Sequence, residues 1–381
     1  MIPLLRTLER RVRLILEDSD QGRWPALKTF LQGVSMAYGL PVVLRSRLYA
    51  TGLMPCQRLP CKTIVIGNLT AGGTGKTPMT VYMAQLAQRL GYRPAILSRG
   101  YKGRAETHGG VVADGRRVLM NADMAGDEPL MMALSLGNIP VLVGRARYKS
   151  GMQAIRDFDI DVVICDDAYQ HLTLHRDLNL LLLDCAQPFG NGRLLPRGSL
   201  REPRGAHRRA HALIMTRCEP GRCCPGASDP RAFAGGRPLF FTRHVPFVSR
   251  VVGPNAGQIS DIKTLKGLCA YAFSGIARNR DFRRGLIDAG CRIVGHAQFP
   301  DHHGYSESDL AQICKSAMNA GAKALITTEK DEVRLARRPL PLDLVVMGIR
   351  IDFGADSPVF EAYIAEQLHR TQDWGRGSDR K

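Results

Sequence analysis

Two rhythms of apolar and polar residues alternate along this chain. Short apolar runs at Thr63–Ile66, Pro94–Leu97, Ile139–Val143, Asp161–Asp167 and Leu180–Leu183 are bounded by glycine or polar clusters and read as buried strands. Between them lie stretches of helical spacing, from about Met79 to Leu90 and over Leu130–Leu136, with a further helix after Arg147. Strands alternating with helices predict a parallel sheet covered on both faces. Residues 186–211 break the rhythm with Pro188, Gly190, Gly192, Pro196, Gly198, Pro203 and Gly205, and read as a crossing between domains that also lines a site. A second α/β series follows. Its strands are expected at Ala212–Thr216, Leu239–Phe241, Leu268–Phe273, Arg292–Val294, Ala324–Thr327 and Leu344–Gly348, with helices near 279–289 and 307–320. Residues 357–369 form a last helix, and the polar tail 371–381 is expected to be disordered.

The start of the chain carries a different pattern. Residues 1 to about 20 place Leu4, Leu5, Leu8, Val12, Ile15 and Leu16 along one side among arginines, and a second amphipathic stretch runs from about Pro25 to Tyr49, broken or kinked at Pro41. Periodicity leaves two readings open for it: a helix lying in a membrane interface, or one packed on a domain surface. No run of 18 or more apolar residues predicts an ordinary transmembrane helix, and no signal-peptide core is expected. The expected division is 1–50 amphipathic helices, 51–190 the first α/β domain, 191–211 a basic linker, 212–350 a second, smaller α/β domain, and 351–381 a helix and tail.

Charge narrows the partners. With 381 residues and a net charge of +18, the chain is drawn to anionic partners: nucleic acid, lipid headgroups or phosphorylated substrates. Aromatic content of 6% gives little support to a base-stacking platform. The ten cysteines include no C-x-x-C pair, so they read as reduced thiols, with adjacent Cys223 and Cys224 beside His207 and His211 as the alternative metal site.

The chemistry starts at Gly67-Asn-Leu-Thr-Ala-Gly-Gly-Thr-Gly-Lys-Thr-Pro78. Strand, glycine-rich turn, Gly-Lys-Thr and helix make the layout of a P-loop, and the expected fold is a P-loop NTPase-like sheet. The segment Thr70, Ala71, Gly72, Gly73, Thr74, Gly75, Lys76 and Thr77 is the expected ATP site. Its glycines let backbone N–H groups converge on phosphate oxygens, Lys76 reaches the β/γ-phosphates, and the Thr77 hydroxyl suits Mg²⁺. Thr70 stands where the general pattern has glycine. Pro78 fits a first helical turn.

Downstream, the apolar strand ending at Asp166-Asp167 has the form of a Walker B, which makes Asp167 either a Mg²⁺ ligand or a helix N-cap. Asp127 and Glu128 either cap the helix opening at Pro129, or Asp127 serves as general base. Phe299-Pro-Asp-His-His-Gly304 is a polar cluster suited to a cleft. Arg201-Glu202 either positions phosphate or metal, or is an exposed pair.

Taken together these motifs resemble the tetraacyldisaccharide 4'-kinases, the lipid A 4'-kinases of Gram-negative bacteria. The resemblance rests on the P-loop segment with Leu97-Ser-Arg-Gly-Tyr101, Gly126-Asp-Glu-Pro129, Asp166-Asp-Ala-Tyr-Gln-His171, Leu200-Arg-Glu-Pro203, Phe299-Pro-Asp-His-His303 and Thr328-Glu-Lys-Asp331. Thr70 matches the family's own variant, whereas Ala168, Tyr169 and Arg197 depart from its usual residues. The resemblance implies transfer of the ATP γ-phosphate to the 4'-hydroxyl of an acylated disaccharide 1-phosphate lipid at the anionic cytoplasmic face of the inner membrane. No nucleic acid and no obligate protein partner are expected. It further implies Asp127 as base with His302 its partner across a domain cleft, Asp167 and Thr77 on Mg²⁺, and Tyr101, Arg147, Gln170, Arg201 and Glu202 around the substrates. Two rivals are a GTPase switch, for which the Asn-Lys-x-Asp guanine motif is missing, and a nucleic-acid-dependent ATPase.

Overall fold

The computed structural model describes residues 15–16, 22–218, 229–253, 259, 261–335 and 340–369. The pattern over residues 1–20, Ile15 and Leu16 excepted, lies outside them, as do Cys223, Cys224 and the tail 371–381. In chain order the strands are β1 (Lys62–Asn68), β2 (Pro94–Ser98), β3 (Gly110–Asp114), β4 (Pro140–Val143), β5 (Val162–Cys165), β6 (Leu178–Asp184), β7 (Ala212–Thr216), β8 (Leu239–Phe241), β9 (Arg243–Val252), β10 (Cys269–Ser274), β11 (Arg292–Gln298), β12 (Ala324–Thr328) and β13 (Asp343–Asp352). The helices are α1 (Pro25–Ala50), α2 (Lys76–Arg89), α3 (Ala122–Ala125), α4 (Asp127–Leu136), α5 (Arg147–Phe158), α6 (Pro230–Ala234), α7 (Asn279–Asp288), α8 (Glu307–Asn319), α9 (Glu329–Glu332) and α10 (Ser357–His369).

The chain folds into two compact units. The first takes the described residues of Met1–Ser98, Ala146–Arg243 and Asp352–Lys381, and the second those of Arg99–Arg145 and His244–Ile351. In the first, the strands run β2-β5-β1-β6-β7-β8 and pair in parallel. The apolar runs of β1, β5 and β6 are buried throughout, as strands with neighbours on both sides must be. Leucine favours helices, yet Leu180–Leu183 is strand, because its place inside the sheet outweighs propensity. Thr77, Met79, Thr80, Met83, Ala84, Leu86 and Ala87 of α2 are buried at helical spacing.

This grouping corrects the expected boundaries. Ala212–Thr216 and Leu239–Phe241 extend the first sheet instead of opening the second. The basic stretch 191–211 is part of the first unit: Ala71 N–H donates to Ser199 O, and Arg201 N–H to Leu69 O, each at 2.7 Å. The C-terminal helix also belongs there, with Phe353 stacked on Phe360 at 4.0 Å and Tyr82 donating to Glu361 at 3.0 Å. Residues 99–145 belong to the second unit, including the antiparallel pair β3–β4. A strand joins whichever sheet edge its apolar face completes, so order along the chain is a poor guide to membership.

Helix α1 is continuous through Pro41, so of the two expectations there, a break or a kink, the break does not occur. Its 26 residues also make it long and apolar enough to cross a membrane by length and composition, where no such segment was expected. Leu31, Ser35 and Gly39 form its buried side. Ser35 donates to Leu194 O at 2.9 Å, and a Cβ on Gly39 would meet Leu194 Cδ1 at 2.8 Å.

In the second unit the sheet order is β11-β10-β12-β13-β9, with β10–β11, β10–β12 and β12–β13 parallel. Strand alternation sends Leu325 and Val346 to one core with Phe273, Leu310 and Ile313, and Ile326 and Val345 to the other with Leu286 and Met347. Strand β9 was not foreseen, because its polar residues and Pro246 hide it.

Candidate active site

The phosphate loop is built by β1 and α2. Gly72 (φ 122°) and Gly75 (φ 86°) occupy the left-handed region that glycine alone enters freely, and Gly75 caps α2 so that Lys76 is its first residue. Asn68, at the end of β1, donates from Nδ2 to Thr70 O at 2.7 Å and accepts from Lys76 Nζ at 3.4 Å. The Thr70 backbone pairs with Leu200 in an isolated antiparallel bridge, which ties the loop to the chain after Arg193. Arg217, just past β7, donates to Gly73 O and, at 2.6 Å, to Asp184. It clamps the loop from the next strands.

The acidic end of β5 separates its two carboxylates. Asp166 is buried and accepts from Thr80 Oγ1 at 3.0 Å. Asp167 adopts φ 46° and starts no helix, so it is no N-cap. Its carboxylate lies 3.7 Å from Lys76 Nζ and accepts from Arg201 Nη1 at 3.0 Å on both oxygens. Burial pushes its pKa up, but the charges of Lys76 and Arg201 outweigh that and hold it below the usual carboxylate value. Arg201-Glu202 is no exposed pair. Glu202 is buried, accepts from Arg209 at 2.6 Å and from Gln170 Nε2 at 3.3 Å, and keeps Oε1 without a hydrogen-bond partner. Gln170 also donates to Asn68 O at 2.9 Å, and Arg147, buried at the start of α5, reaches Asp166 O at 3.5 Å. Tyr169 is buried with its hydroxyl donating to Ala206 O at 2.7 Å.

The second unit holds a separate constellation. Asp127 is the first residue of α4, and its cap position is Gly126, with no side-chain cap bond. Gly126 (φ 84°) is required by close approach, since a Cβ there would lie 2.8 Å from Tyr101 O. Asp127 Oδ2 bonds His302 Nδ1 at 2.7 Å and accepts from Arg334 Nη2 at 2.6 Å. Burial pushes the Asp127 carboxyl up, but these two partners pull it down to about 2. Tyr101 is exposed, its ring edge-on to His302 at 6.1 Å. His303 bonds Asp309 at 3.1 Å and stacks on Phe299 at 4.5 Å, so only His302 of that pair reaches Asp127. The Asp127–His302 pair is internal to one unit, whereas the sequence reading had placed it across a domain boundary.

The first unit thus gathers Thr70–Thr77, Asp167, Arg147, Gln170, Arg201 and Glu202, and the second gathers Tyr101, Asp127 and His302. Sequence reasoning missed Asn68, Arg217, Arg334 and Lys330, whose Nζ lies 3.4 Å from His302 Nε2. Asn68 and Lys330 stood inside quoted motifs, but Arg217 and Arg334 carried no local signal. The loop fits a polyphosphate: Thr74 Oγ1 is buried without a hydrogen-bond partner, and a Cβ at Gly72 would meet nothing within 4 Å. Among the described residues no group of three or more His, Cys, Asp or Glu could hold a metal alone. A single carboxylate beside the loop is what a Mg²⁺ held largely by phosphates requires.

A P-loop beside a strand-end carboxylate, with an Asp–His couple elsewhere in the chain, defines an ATP-dependent phosphotransferase. Residues 27–369 match the family described as LpxK, tetraacyldisaccharide-1-P 4'-kinase, and the chain belongs to it. It is 38% identical over 371 residues to the tetraacyldisaccharide 4'-kinase of Desulfatibacillum aliphaticivorans, covering 96% of this chain and 99% of that one. It is 43% identical over 338 residues to that of Syntrophus aciditrophicus strain SB, covering 86% and 90%. The structure is similar to the crystal structure of LpxK from Aquifex aeolicus in complex with ATP, with a TM-score of 0.72 and 29% identity over 90% of this chain and 100% of that one.

Proposed function

We propose that this enzyme transfers the γ-phosphoryl group of ATP to the 4'-hydroxyl of tetraacyldisaccharide 1-phosphate, forming lipid IVA for lipid A. The observation that carries the reading is Lys76 at the glycine loop, 3.7 Å from the strand-end carboxylate of Asp167. That is the cation and carboxylate a phosphoryl-transfer site needs. Thr77 and Asp167 would hold Mg²⁺, which when bound neutralises charge on the β- and γ-phosphoryl oxygens. Lys76 and the loop N–H groups hold the nucleotide phosphates, and Arg201 and Arg147 supply further positive charge. Gln170, Glu202 and Tyr101 bind and orient the substrates.

Asp127 accepts the proton of the attacking hydroxyl, and His302 orients it. A carboxylate held at about pKa 2 is a weak base. The largely dissociative transition state of phosphoryl transfer tolerates this, because the hydroxyl loses its proton late and needs chiefly to be aimed. The enzyme works on the cytoplasmic face of the inner membrane. Phe30, Met36, Leu40 and Leu44 of α1 are exposed and suit an interfacial helix, and the net charge of +18 suits anionic lipid.

The test supplies labelled ATP, Mg²⁺ and the tetraacyldisaccharide 1-phosphate in detergent micelles, with Lys76→Ala alongside. Label in the lipid with the native enzyme and not with the variant is expected. ATP or GTP hydrolysis stimulated by nucleic acid or protein, without labelled lipid, overturns the proposal.

A further inference from the structure

The Thr328-Glu-Lys-Asp331 motif lies beside the Asp127–His302 couple without taking part in the transfer step itself. Asp331 is fully buried, and its carboxylate is saturated. Oδ1 accepts from Gly275 N–H and from Tyr305 OH, each at 2.9 Å, and Oδ2 accepts from Thr328 Oγ1 at 2.6 Å. Arg334, one helical turn on, lies between two carboxylates. Its Nη1 is 3.5 Å from Asp331 Oδ1, and its Nη2 donates to Asp127 Oδ2 at 2.6 Å. Its side chain is only 6% exposed. Gly275 O accepts from the backbone N–H of His302 at 3.3 Å and from Arg334 Nη1 at 3.4 Å. Asp331, Gly275 and Arg334 therefore form one rigid mount that touches both Asp127 and His302.

We propose that Arg334, anchored by Asp331, is a positioning residue for the phosphoryl-acceptor chemistry: it holds Asp127 by Oδ2 and leaves Oδ1 as the oxygen presented to the substrate hydroxyl. This rests on the reading of Asp127 as proton acceptor. The hydrogen bonds to Asp127 from His302 and from Arg334 both fall on Oδ2, so that oxygen is committed. The planar guanidinium spans two carboxylates with separate nitrogens, which the point charge of a lysine does not do. Two further charged groups face His302: Lys330 Nζ lies 3.4 Å from its Nε2 and Asp301 Oδ2 3.9 Å from it, while Lys330 also lies 3.0 Å from Asp301 and 3.9 Å from Glu128.

The test measures kcat, KM and the pH profile of Arg334→Gln, Arg334→Lys, Asp127→Asn and the Asp127→Asn/Arg334→Gln double variant, with folding checked by thermal melting. Arg334→Gln is expected to lower kcat roughly 10–100-fold, the range of a lost charge-assisted hydrogen bond, with KM for ATP unchanged. Its acid limb is expected to rise toward the ordinary carboxylate value of about 4. Adding Arg334→Gln to Asp127→Asn is expected to cost nothing further, and Arg334→Lys to restore part of the rate. A native kcat and acid limb in Arg334→Gln, beside a slow Asp127→Asn, overturns the positioning role alone. Equal losses from Arg334→Gln with and without Asp127 do the same. A native rate in Asp127→Asn overturns the base assignment and this inference with it. Should Arg334→Gln not fold, Arg334→Lys and Tyr305→Phe, which loosens the anchor without touching Asp127, carry the same comparisons.

Discussion

His302 Nδ1 lies 2.7 Å from Asp127 Oδ2, although 175 residues separate the two in the chain, and both sit in one compact unit. The couple is assembled by the folding of that unit and needs no second body to form. Asp127→Ala is therefore expected to lower kcat by roughly 10²–10⁴, the usual share of acid–base assistance, with a cooperative thermal transition retained. His302→Ala, which removes one of two partners of the carboxylate, is expected to cost less. Native turnover in Asp127→Ala under saturating lipid would remove it from the chemistry.

The same partners predict a pH dependence of stability. Asp127 titrates at about 2 in the folded chain against an ordinary value near 4, so the folded state binds its proton less tightly than the unfolded one. Its stabilisation is complete above the unfolded value and is lost as pH falls from about 4 through about 2. Urea midpoints of the native chain and Asp127→Asn should differ at pH 7, by about 2 kcal/mol in unfolding free energy, and converge as pH drops below about 4. A gap that stays constant with pH would mean the carboxylate is not held by those partners.

Lys76 and Arg201 converge on Asp167, and all three should report on the nucleotide. Lys76→Ala is expected to lose at least as much activity as Asp127→Ala. Asp167→Asn should raise the Mg²⁺ concentration giving half-maximal rate by at least the roughly 10–100-fold seen when outer-shell partners of a metal are lost. Mg²⁺ titrations at fixed ATP decide it, and an unmoved midpoint in Asp167→Asn places the ion elsewhere.

Arg217 holds the carbonyl of Gly73 and the Asp184 carboxylate at once, so it acts on the shape of the loop. Losing a charged hydrogen bond of about 1.5–3 kcal/mol should raise KM for ATP roughly 10–100-fold in Arg217→Ala, with little change in KM for lipid. Equal effects on both substrates would mark a general loss of structure.

Much of this site was legible because its residues come in contiguous strings. A P-loop is one turn of chain, so Gly72 to Thr77 declares itself, and the strand ending at Asp166-Asp167 does so by composition. Strand periodicity also located β1, β5, β6, β10 and β12 to within a residue or two. What stayed hidden depends on contacts remote in sequence. Nothing near Arg334 says that its side chain will meet Asp127, 207 positions earlier. Nothing near Ala212 says that its strand will pair with Leu180. Strands β7 and β8 fall to the first unit for the same reason, since their pairing partners leave no trace in linear order.

Helix α1 sorts its apolar residues by side, and that supports a prediction about where the enzyme works. Leu31, Ser35 and Gly39, four residues apart, are buried, while Phe30, Met36, Leu40 and Leu44 are exposed, Leu40 at 74%. Exposed leucines contribute little to folding, so Leu40→Asp with Leu44→Asp should leave the melting temperature within a degree or two. Entry of each leucine into the headgroup–acyl boundary is worth about 1.5–3 kcal/mol, so the double variant should lose at least tenfold in affinity for vesicles rich in anionic lipid. Gly39→Leu should do the reverse, since its side chain would collide with Leu194 and unseat the helix, lowering stability before membrane binding. Cosedimentation with vesicles and thermal melting of both variants separate the two sides. Undiminished vesicle binding by the Leu40→Asp/Leu44→Asp variant would mean that the basic surface alone recruits the enzyme to lipid.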